Sequence, residues 1–266
     1  MILQDIYSYP LKSGKGQRQQ QAFISERGVP FDRYFVITDN NGKFITGRTK
    51  ANMVHIECQL LTINNDDYVR FQAPNMPALQ LKLDAFSEHY SPVKVWQDTI
   101  DAQHVGSEAD QWFAQFLATQ CRLYFLGTHS SRQVQGYQNQ LSFADGYPIL
   151  LIGDGSLHDL NSRLNKPVSM SQFRPNLVIA DCPAFAEDDW QEIKIGEVHF
   201  AIAKPCSRCI FTTVNSKTGE RDEHKEPLTT LASYRRADNG DINFGQNLVP
   251  LNQGVIHQGE PLKVIR

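Results

Sequence analysis

The amino-acid sequence predicts a β-rich protein of the α+β class, on three observations. Segments with β propensity are short, and they outnumber the helical segments. Turn-forming residues recur along the 266-residue chain, which contains 17 glycines and 13 prolines. The helical segments do not alternate with strands in the regular order of a doubly wound parallel sheet.

The first part of the chain is predicted to consist mostly of strands. Ile2–Tyr9 is the first of them, and Val93–Trp96 is another because apolar and polar residues alternate along it. A hairpin is predicted from Arg33–Thr38 and Lys43–Thr46, because the Asn41-Gly42 pair between them supplies the positive φ of a tight turn.

The clearest helix is predicted over Ser107–Gln120. Its apolar residues recur at helical spacing and form one stripe, which is the core-facing side of a surface helix: Ala109, Trp112, Phe113, Phe116 and Leu117. Ser107 and Asp110 resemble a capping box at its start. The polar stretch before this helix predicts a boundary between a domain at 1–98 and a domain at 107–266.

The second part is predicted to contain strands and two short helices. The predicted strands are Arg122–Leu126, Pro148–Ile152, Leu177–Ala180, Glu197–Ile202 and Ile210–Val214. One helix is predicted to end near Leu164 with Asp154 or Ser156 as its cap, and the other covers Leu228–Arg236. The acidic run Glu187-Asp188-Asp189 is expected to be a solvated loop.

Composition excludes several classes of function. The net charge is −3 with 26 basic and 29 acidic residues, and no basic block suited to a nucleic acid polymer is present. We expect neither a signal peptide nor a membrane-spanning segment, because no apolar run has the required length. Five cysteines, an odd number in a chain of this length, do not indicate a disulfide framework, so we expect a cytoplasmic protein.

The most informative motif is Cys206-Ser207-Arg208-Cys209. Thiolates are soft ligands that select thiophilic metals, and an adjacent arginine favours the thiolate form. Structural zinc is a weaker interpretation because a second pair of ligands is missing. A thioredoxin-like pair would open a helix, whereas β-branched residues follow here. The remaining alternative, two thiols in a core strand, would bury Arg208 at a cost in free energy.

Other segments carry polar groups that suit an anionic ligand. Lys12 and Ser13 lie in a glycine-rich loop, which can hold a phosphate although it lacks the P-loop spacing. Arg33 follows Asp32, and Arg174 lies close to Asn176. Guanidinium groups bind phosphates in pairs of hydrogen bonds, although each of these motifs alone also fits a turn or a structural ion pair.

Asp145 precedes Gly146-Tyr147-Pro148 at the start of the predicted strand Pro148–Ile152. A proton donor could lie at such a position, and capping of a turn is the alternative. No motif of a hydrolase or of a dinucleotide-binding protein is present.

Taken together, these motifs resemble the MOSC family, named for the C-terminal domain of molybdenum cofactor sulfurase, over nearly the whole chain. The similarity is strongest to its amidoxime-reducing-component branch and to the YcbX-like bacterial relatives. The segments that carry it are Tyr9–Ser13, Asp32-Arg33, Leu160–Leu164, Phe173–Asn176, Cys206–Cys209, Lys225–Leu228 and Phe244–Gln246. The resemblance implies a MOSC β-barrel domain preceded by a smaller N-terminal β-barrel-like domain.

The resemblance also implies a molybdenum cofactor (Mo-molybdopterin), with Cys209 as the metal ligand and Cys206 as a neighbour. The cofactor contacts implied are Lys12, Ser13, Arg33, Gly146, Tyr147, Arg174, Asn176, Ser207 and Arg208. Asp145 matches an acidic position near the metal, where it is expected to relay a proton. At family level alone, binding of pyridoxal phosphate and a role in detoxification are implied as well.

The implied reaction is two-electron removal of oxygen from amidoximes, hydroxylamines or N-hydroxylated bases. No cysteine follows Cys209, so a plant-type iron–sulfur cluster is not expected in this chain. Electrons are then expected from a separate reductase or a ferredoxin-type protein, the alternative being that the chain is shortened before a ferredoxin domain. The alternative is a carrier of the molybdenum cofactor or of sulfur that performs no turnover.

Overall fold

The computed structural model describes residues 1–266, which form seventeen strands and three helices. The strands are β1 (Ile2–Ser8), β2 (Gln17–Gln19), β3 (Gln21–Ile24), β4 (Phe35–Thr38), β5 (Glu57–Ile63), β6 (Asp66–Gln72), β7 (Leu79–Lys82), β8 (Tyr90–Val95), β9 (Asp98–His104), β10 (Arg122–Phe125), β11 (Ile149–Gly153), β12 (Leu177–Ala180), β13 (Glu192–Ile195), β14 (Val198–Ser207), β15 (Asn243–Pro250), β16 (Gly254–His257) and β17 (Leu262–Val264). The helices are α1 (Ser107–Leu117), α2 (Asp154–Ser162) and α3 (Leu228–Tyr234). None of the three has the length and apolar character needed to cross a membrane.

The strands form four sheets, and the β-rich α+β class predicted from the sequence is confirmed. The largest sheet has eight strands in the order β17-β13-β14-β15-β11-β12-β1-β2. The others have the orders β4-β10-β9-β8, β5-β6-β7 and β16-β3. Within the largest sheet β11 and β12 are parallel, and the remaining pairs are antiparallel. Every sheet keeps two open edges, so the expected barrels are not closed ones.

The two halves of the chain are interleaved. Strand β1 pairs with β12, with Ile6 opposite Leu177, so the first residues belong to the sheet of the second half. Conversely, β10 pairs with β4 of the first half, with Leu123 opposite Ile37. The domain boundary between residues 98 and 107 stays a prediction, and both halves contribute loops to the region between the sheets.

Helix α1 confirms the helix predicted from apolar spacing, although it ends at Leu117 and not at Gln120, because Ala118 adopts a left-handed conformation. Four residues of its stripe are buried in the aromatic core of the first half, where the rings of Phe71 and Phe113 lie 5.1 Å apart: Ala109, Trp112, Phe113 and Leu117. The predicted capping box is wrong, because Gly106 is the N-cap and no side chain caps the helix. Asp110 instead accepts a hydrogen bond from the Leu123 N–H at 2.9 Å, which fastens α1 to β10.

The predicted hairpin is formed on its first side only. Strand β4 forms, and Gly42 has a φ of +75°, as the tight turn requires. The predicted returning strand is reduced to two isolated bridges, one between Thr38 and Phe44 and one between Lys43 and Lys94. The chain then leaves the sheet, and residues 46–48 reach the region between the two halves.

Strand β14 runs further than the sequence suggested. It continues through Pro205 to Ser207, because Pro205 lies between two register shifts where β13 no longer pairs with it. The predicted strand Ile210–Val214 is wrong, since Ile210–Thr213 forms a 3₁₀ turn. Its threonine hydroxyls donate to the carbonyls of Cys209 and Ile210 at 2.9 and 2.7 Å, and such local bonds compete with a sheet ladder.

Glu187 is fully buried, so the expectation of a solvated acidic loop is wrong for this residue. The hydroxyl of Ser156 and the N–H of Gly153 donate to its Oε1 at 2.7 and 3.1 Å, while its Oε2 has no partner. Gly153 is the N-cap of α2, and neither Asp154 nor Ser156 caps that helix as predicted. Burial raises the pKa of the Glu187 carboxyl.

Glu187→Gln is expected to stabilise the protein more at pH 8 than at pH 5. A carboxyl group whose pKa is raised in the folded state lowers the stability of that state once the group has to ionise. The loss begins as the pH rises above the ordinary pKa of 4.5 and is complete above the raised pKa. The amide removes this cost. We expect the change in Tm on substitution to be more favourable at pH 8 by about 2 °C, measured by circular dichroism. The exposed Glu108→Gln is the control, and equal shifts at both pH values would contradict the prediction.

Candidate functional site

A cavity of ≈ 150 Å³ lies where loops of both halves meet. The structure brings to it all eleven residues singled out in the sequence, namely Lys12, Ser13, Arg33, Asp145, Gly146, Tyr147, Arg174, Asn176, Ser207, Arg208 and Cys209. They come from the loop after β1, the loop before β4, the segments before β11 and β12, and the end of β14 with the turn after it. Their individual roles stay predictions.

Lys12 and Asp145 form an ion pair in this cavity. The buried Lys12 ammonium donates to Asp145 Oδ1 at 2.6 Å and to the Phe143 carbonyl at 2.7 Å. Burial lowers the pKa of Lys12, and the charge of Asp145 opposes this effect. Desolvation would raise the pKa of Asp145, but the charge and hydrogen bond of Lys12, with Arg48 and Trp96, hold it well below its usual range. Asp145 is therefore a carboxylate at neutral pH, so a relay through it begins with accepting a proton.

Arg33 and Asn176 hold the loops of the site together. The Arg33 guanidinium binds Asp32 at 2.5 Å and the Asn176 side-chain oxygen at 3.2 Å. The same Asn176 oxygen accepts the N–H of Leu150 at 3.1 Å, and its amide nitrogen donates to the Tyr7 carbonyl at 3.1 Å. These bonds occupy most of the hydrogen-bonding groups of Asn176, so few are left for a ligand. They also fix the position of Arg33 at the cavity wall.

Two arginines present buried N–H groups without a partner. Arg174 donates through Nη1 to the Gly14 carbonyl, its guanidinium lies 4.2 Å from the Tyr9 ring centroid, and its Nη2 is unpaired. Burial, with the nearby charge of Arg33, lowers the pKa of Arg174 to about 10. Arg208 binds the Phe173 carbonyl at 2.7 Å, and its Nε is unpaired. An unpaired buried donor costs free energy, which a ligand oxygen at this position would recover.

Both thiols of the Cys-x-x-Cys motif line the cavity. Arg208 Nη1 lies 2.9 Å from Cys206 Sγ, and Arg48 Nε donates to Cys209 Sγ at 3.2 Å. The two sulfur atoms are thus each in contact with a different guanidinium. Geometry alone does not separate a metal ligand from its neighbour here, so the assignment of Cys209 as the ligand stays a prediction.

Arg48 is the site residue that the sequence analysis missed. Besides Cys209, it pairs with Asp145 Oδ2 at 3.5 Å, and its guanidinium lies 4.3 Å from the Trp96 ring centroid. Its loop packs against the 3₁₀ turn after Cys209, since a Cβ on Gly47 would lie 2.1 Å from the Phe211 ring. No motif surrounds Arg48, and its role arises from this packing alone.

The cavity is strongly cationic and fits an anionic ligand that brings its own metal donors. Its lining contains five cationic side chains and one carboxylate, Asp145: Lys12, Arg33, Arg48, Arg174 and Arg208 are the cations. No group of three or more His, Cys, Asp and Glu residues is placed to hold a metal ion. A metal bonded to one thiolate would take its other donors from the ligand, as molybdopterin's dithiolene allows. The unpaired N–H groups of Arg174 and Arg208 fit its phosphate and heteroatoms.

Comparisons with known proteins identify the family of this chain. The MOSC N-terminal beta barrel domain matches residues 1–120, and the MOSC domain matches residues 138–263. A mitochondrial amidoxime-reducing component 1 of Mus musculus is 33% identical over 98% of this chain and 81% of its own length. A mitochondrial amidoxime reducing component 2 of Macaca fascicularis is 36% identical over 88% of this chain and 72% of its own length.

Similarity to solved structures is partial. YiiM from Geobacillus stearothermophilus is 19% identical, with a TM-score of 0.33 over 45% of this chain and 55% of that one. The identification therefore comes from the two matched domains and from the relatives that align along most of the sequence. The chain belongs to the MOSC-domain family, in the branch of the amidoxime-reducing components.

Proposed function

We propose that this protein is a molybdenum-cofactor oxidoreductase that reduces N-hydroxylated compounds such as amidoximes, hydroxylamines and N-hydroxylated bases. The observation that carries the proposal is a cationic cavity with a thiol in its wall and two arginines that each have one buried N–H group without a partner. The names of the relatives, amidoxime-reducing components, supply the substrate class.

The residues of the cavity have separate tasks in this proposal. Cys209 provides the protein sulfur ligand, and Arg174 with Arg208 and Lys12 neutralises the phosphate of the cofactor. Ser13 and Ser207 add hydroxyl groups, while Gly146 and Tyr147 contribute the backbone at the start of β11. When bound, the cofactor supplies two-electron chemistry that the protein side chains cannot perform.

The reaction breaks the N–O bond and consumes two electrons and two protons, with water as the second product. We assign Asp145 to the proton transfers in this proposal, and the 2.6 Å distance between its carboxylate and the Lys12 ammonium supports that role. In this proposal Asp145 accepts a proton from solvent or from Lys12 and passes it to the departing oxygen. Its half-exposed side chain gives access to solvent.

We further propose that the electrons come from a separate reductase or ferredoxin-type protein, because the reaction consumes two electrons that the side chains of the cavity do not supply. All five cysteines are free thiols, which supports a reducing compartment such as the cytoplasm. Binding of pyridoxal phosphate and a role in detoxification stay predictions.

A metal analysis combined with a turnover assay tests the proposal. Protein produced with ample molybdate is expected to contain close to one molybdenum and one pterin per chain, and to convert benzamidoxime to benzamidine with reduced methyl viologen. Protein produced with tungstate instead is the control. Zinc without molybdenum, or a bound cofactor without turnover on any N-hydroxylated compound, would contradict it. The second outcome would favour the carrier alternative, which is also consistent with two thiols in one cavity.

A further inference from the structure

Trp96 is an exposed aromatic residue in an unusual backbone conformation. Its φ is +58°, a region that a bulky side chain rarely occupies and that costs on the order of 1–3 kcal/mol. It is 48% exposed, whereas the other two tryptophans, Trp112 and Trp190, are buried. It occupies the turn between β8 and β9, at the rim of the cationic cavity. An exposed indole in a strained backbone conformation at the rim of the cavity indicates a role other than packing in the core.

Contacts on several sides fix this indole. Its N–H donates to Asp145 Oδ1 at 3.0 Å, and the Phe44 ring meets it in an edge arrangement with centroids 5.1 Å apart. The Arg48 guanidinium covers one face, 4.3 Å from the ring centroid. Arg48 lines the cavity and Trp96 does not, so Trp96 backs the guanidinium from behind.

The Arg48 guanidinium is held as a flat surface at the cavity. Its Nε donates to Cys209 Sγ at 3.2 Å, and its Nη2 lies 3.5 Å from Asp145 Oδ2. The Trp96 ring packs against one of its faces. Trp96 is the one aromatic ring on this guanidinium, and Arg48 lines the cavity next to the sulfur atom that is predicted to bind the metal. Guanidinium planes stack on aromatic and other conjugated groups.

We propose that Arg48, backed by Trp96, is the platform on which the planar part of the substrate stacks, with its N–OH group directed towards Cys209. This inference rests on the proposed function and narrows its substrates to uncharged planar compounds, such as aromatic amidoximes. A cationic face repels positively charged substrates, and an aliphatic hydroxylamine offers no plane to stack. Arg48 and Trp96 are then specificity-determining residues that position the substrate.

Arg48→Lys tests the platform, because it keeps the positive charge and removes the plane. We expect the dissociation constant of benzamidoxime for the oxidised, cofactor-loaded protein to rise at least fivefold, measured by isothermal titration calorimetry without a reductant. The ratio of kcat/KM for benzamidoxime to that for N-methylhydroxylamine is expected to fall at least fivefold, with an unchanged molybdenum content. An unchanged dissociation constant, or equal losses for both substrates, would overturn the proposal.

Two substitutions of Trp96 form a matched pair. Trp96→Ala removes the backing of Arg48 and is expected to lower the same ratio at least threefold. Trp96→Phe keeps an aromatic ring without the indole N–H, and is expected to hold the ratio within twofold of wild type. An equal fall of the ratio in both variants would assign the effect to the hydrogen bond between the indole N–H and Asp145, and would overturn the proposal of a stacking platform. If the wild type reduces neither substrate, the proposed function fails, and the dissociation constants still decide the platform.

Discussion

Cys209→Ser is expected to abolish amidoxime reduction and to lower the molybdenum content of the purified protein at least tenfold. A serine oxygen is a harder and far less acidic donor than a thiol sulfur, so it does not replace a thiolate on a thiophilic metal. The Sγ atom lies in the cavity wall 3.2 Å from Arg48 Nε, and the substitution changes one atom there. Metal analysis of the purified variant, beside the benzamidoxime assay, measures both effects.

Cys206→Ser is the matched control, because this thiol lines the same cavity and also contacts a guanidinium, that of Arg208. We expect it to retain most of its molybdenum and activity. The opposite result, with metal lost in Cys206→Ser and kept in Cys209→Ser, would show that the ligand is the first cysteine of the pair. Loss of metal in both variants would contradict ligation by one protein thiolate and favour a role for both sulfurs.

Residues in recognisable local patterns were predictable from the sequence. Helix α1 was visible because burial of one helical face imposes a fixed spacing on apolar residues. The residues assigned to the cofactor, such as Lys12, Arg174 and Cys209, lie in short motifs whose order along the chain carried the family resemblance. The cavity in which they meet could not be derived from any motif alone, because it requires β1 to pair with β12 of the other half.

Residues whose roles depend on distant partners were not predictable. Glu187 belongs to an acidic run and is buried only because Ser156 and Gly153 supply hydrogen bonds. Arg48 and Trp96 meet because the loop after β4 and the β8–β9 turn lie side by side above Asp145. Such contacts join residues that are about 30 to 160 positions apart, and neither composition nor periodicity encodes them.

Arg174→Met is expected to lower cofactor occupancy at least tenfold without destabilising the cofactor-free protein. The substitution is expected to weaken cofactor binding and not the fold, because the buried guanidinium destabilises the folded protein as long as no ligand is bound to it. Its Nη2 is buried and unpaired, and burial together with Arg33 lowers its pKa to about 10. Methionine keeps apolar contact with the Tyr9 ring and removes this buried charge. A tenfold loss of affinity corresponds to about 1.4 kcal/mol, close to the lower limit of about 1.5 kcal/mol for one charge-assisted hydrogen bond.

Two measurements separate the effect on cofactor binding from the effect on stability. They are the pterin and molybdenum content and the thermal unfolding of the cofactor-free and cofactor-loaded proteins. A bound cofactor stabilises the folded state by mass action, so the rise in Tm on loading is expected to shrink in Arg174→Met while the cofactor-free Tm stays at or above that of wild type. Arg163→Met is the control, since Arg163 is half-exposed, pairs with Asp159 and lies outside the cavity. If Arg174→Met lowered the cofactor-free Tm and left occupancy intact, the guanidinium would serve to tie the Gly14 loop to the core. The unpaired N–H would then have no part in holding an anion, and Lys12 and Arg208 would be left to neutralise the phosphate of the cofactor.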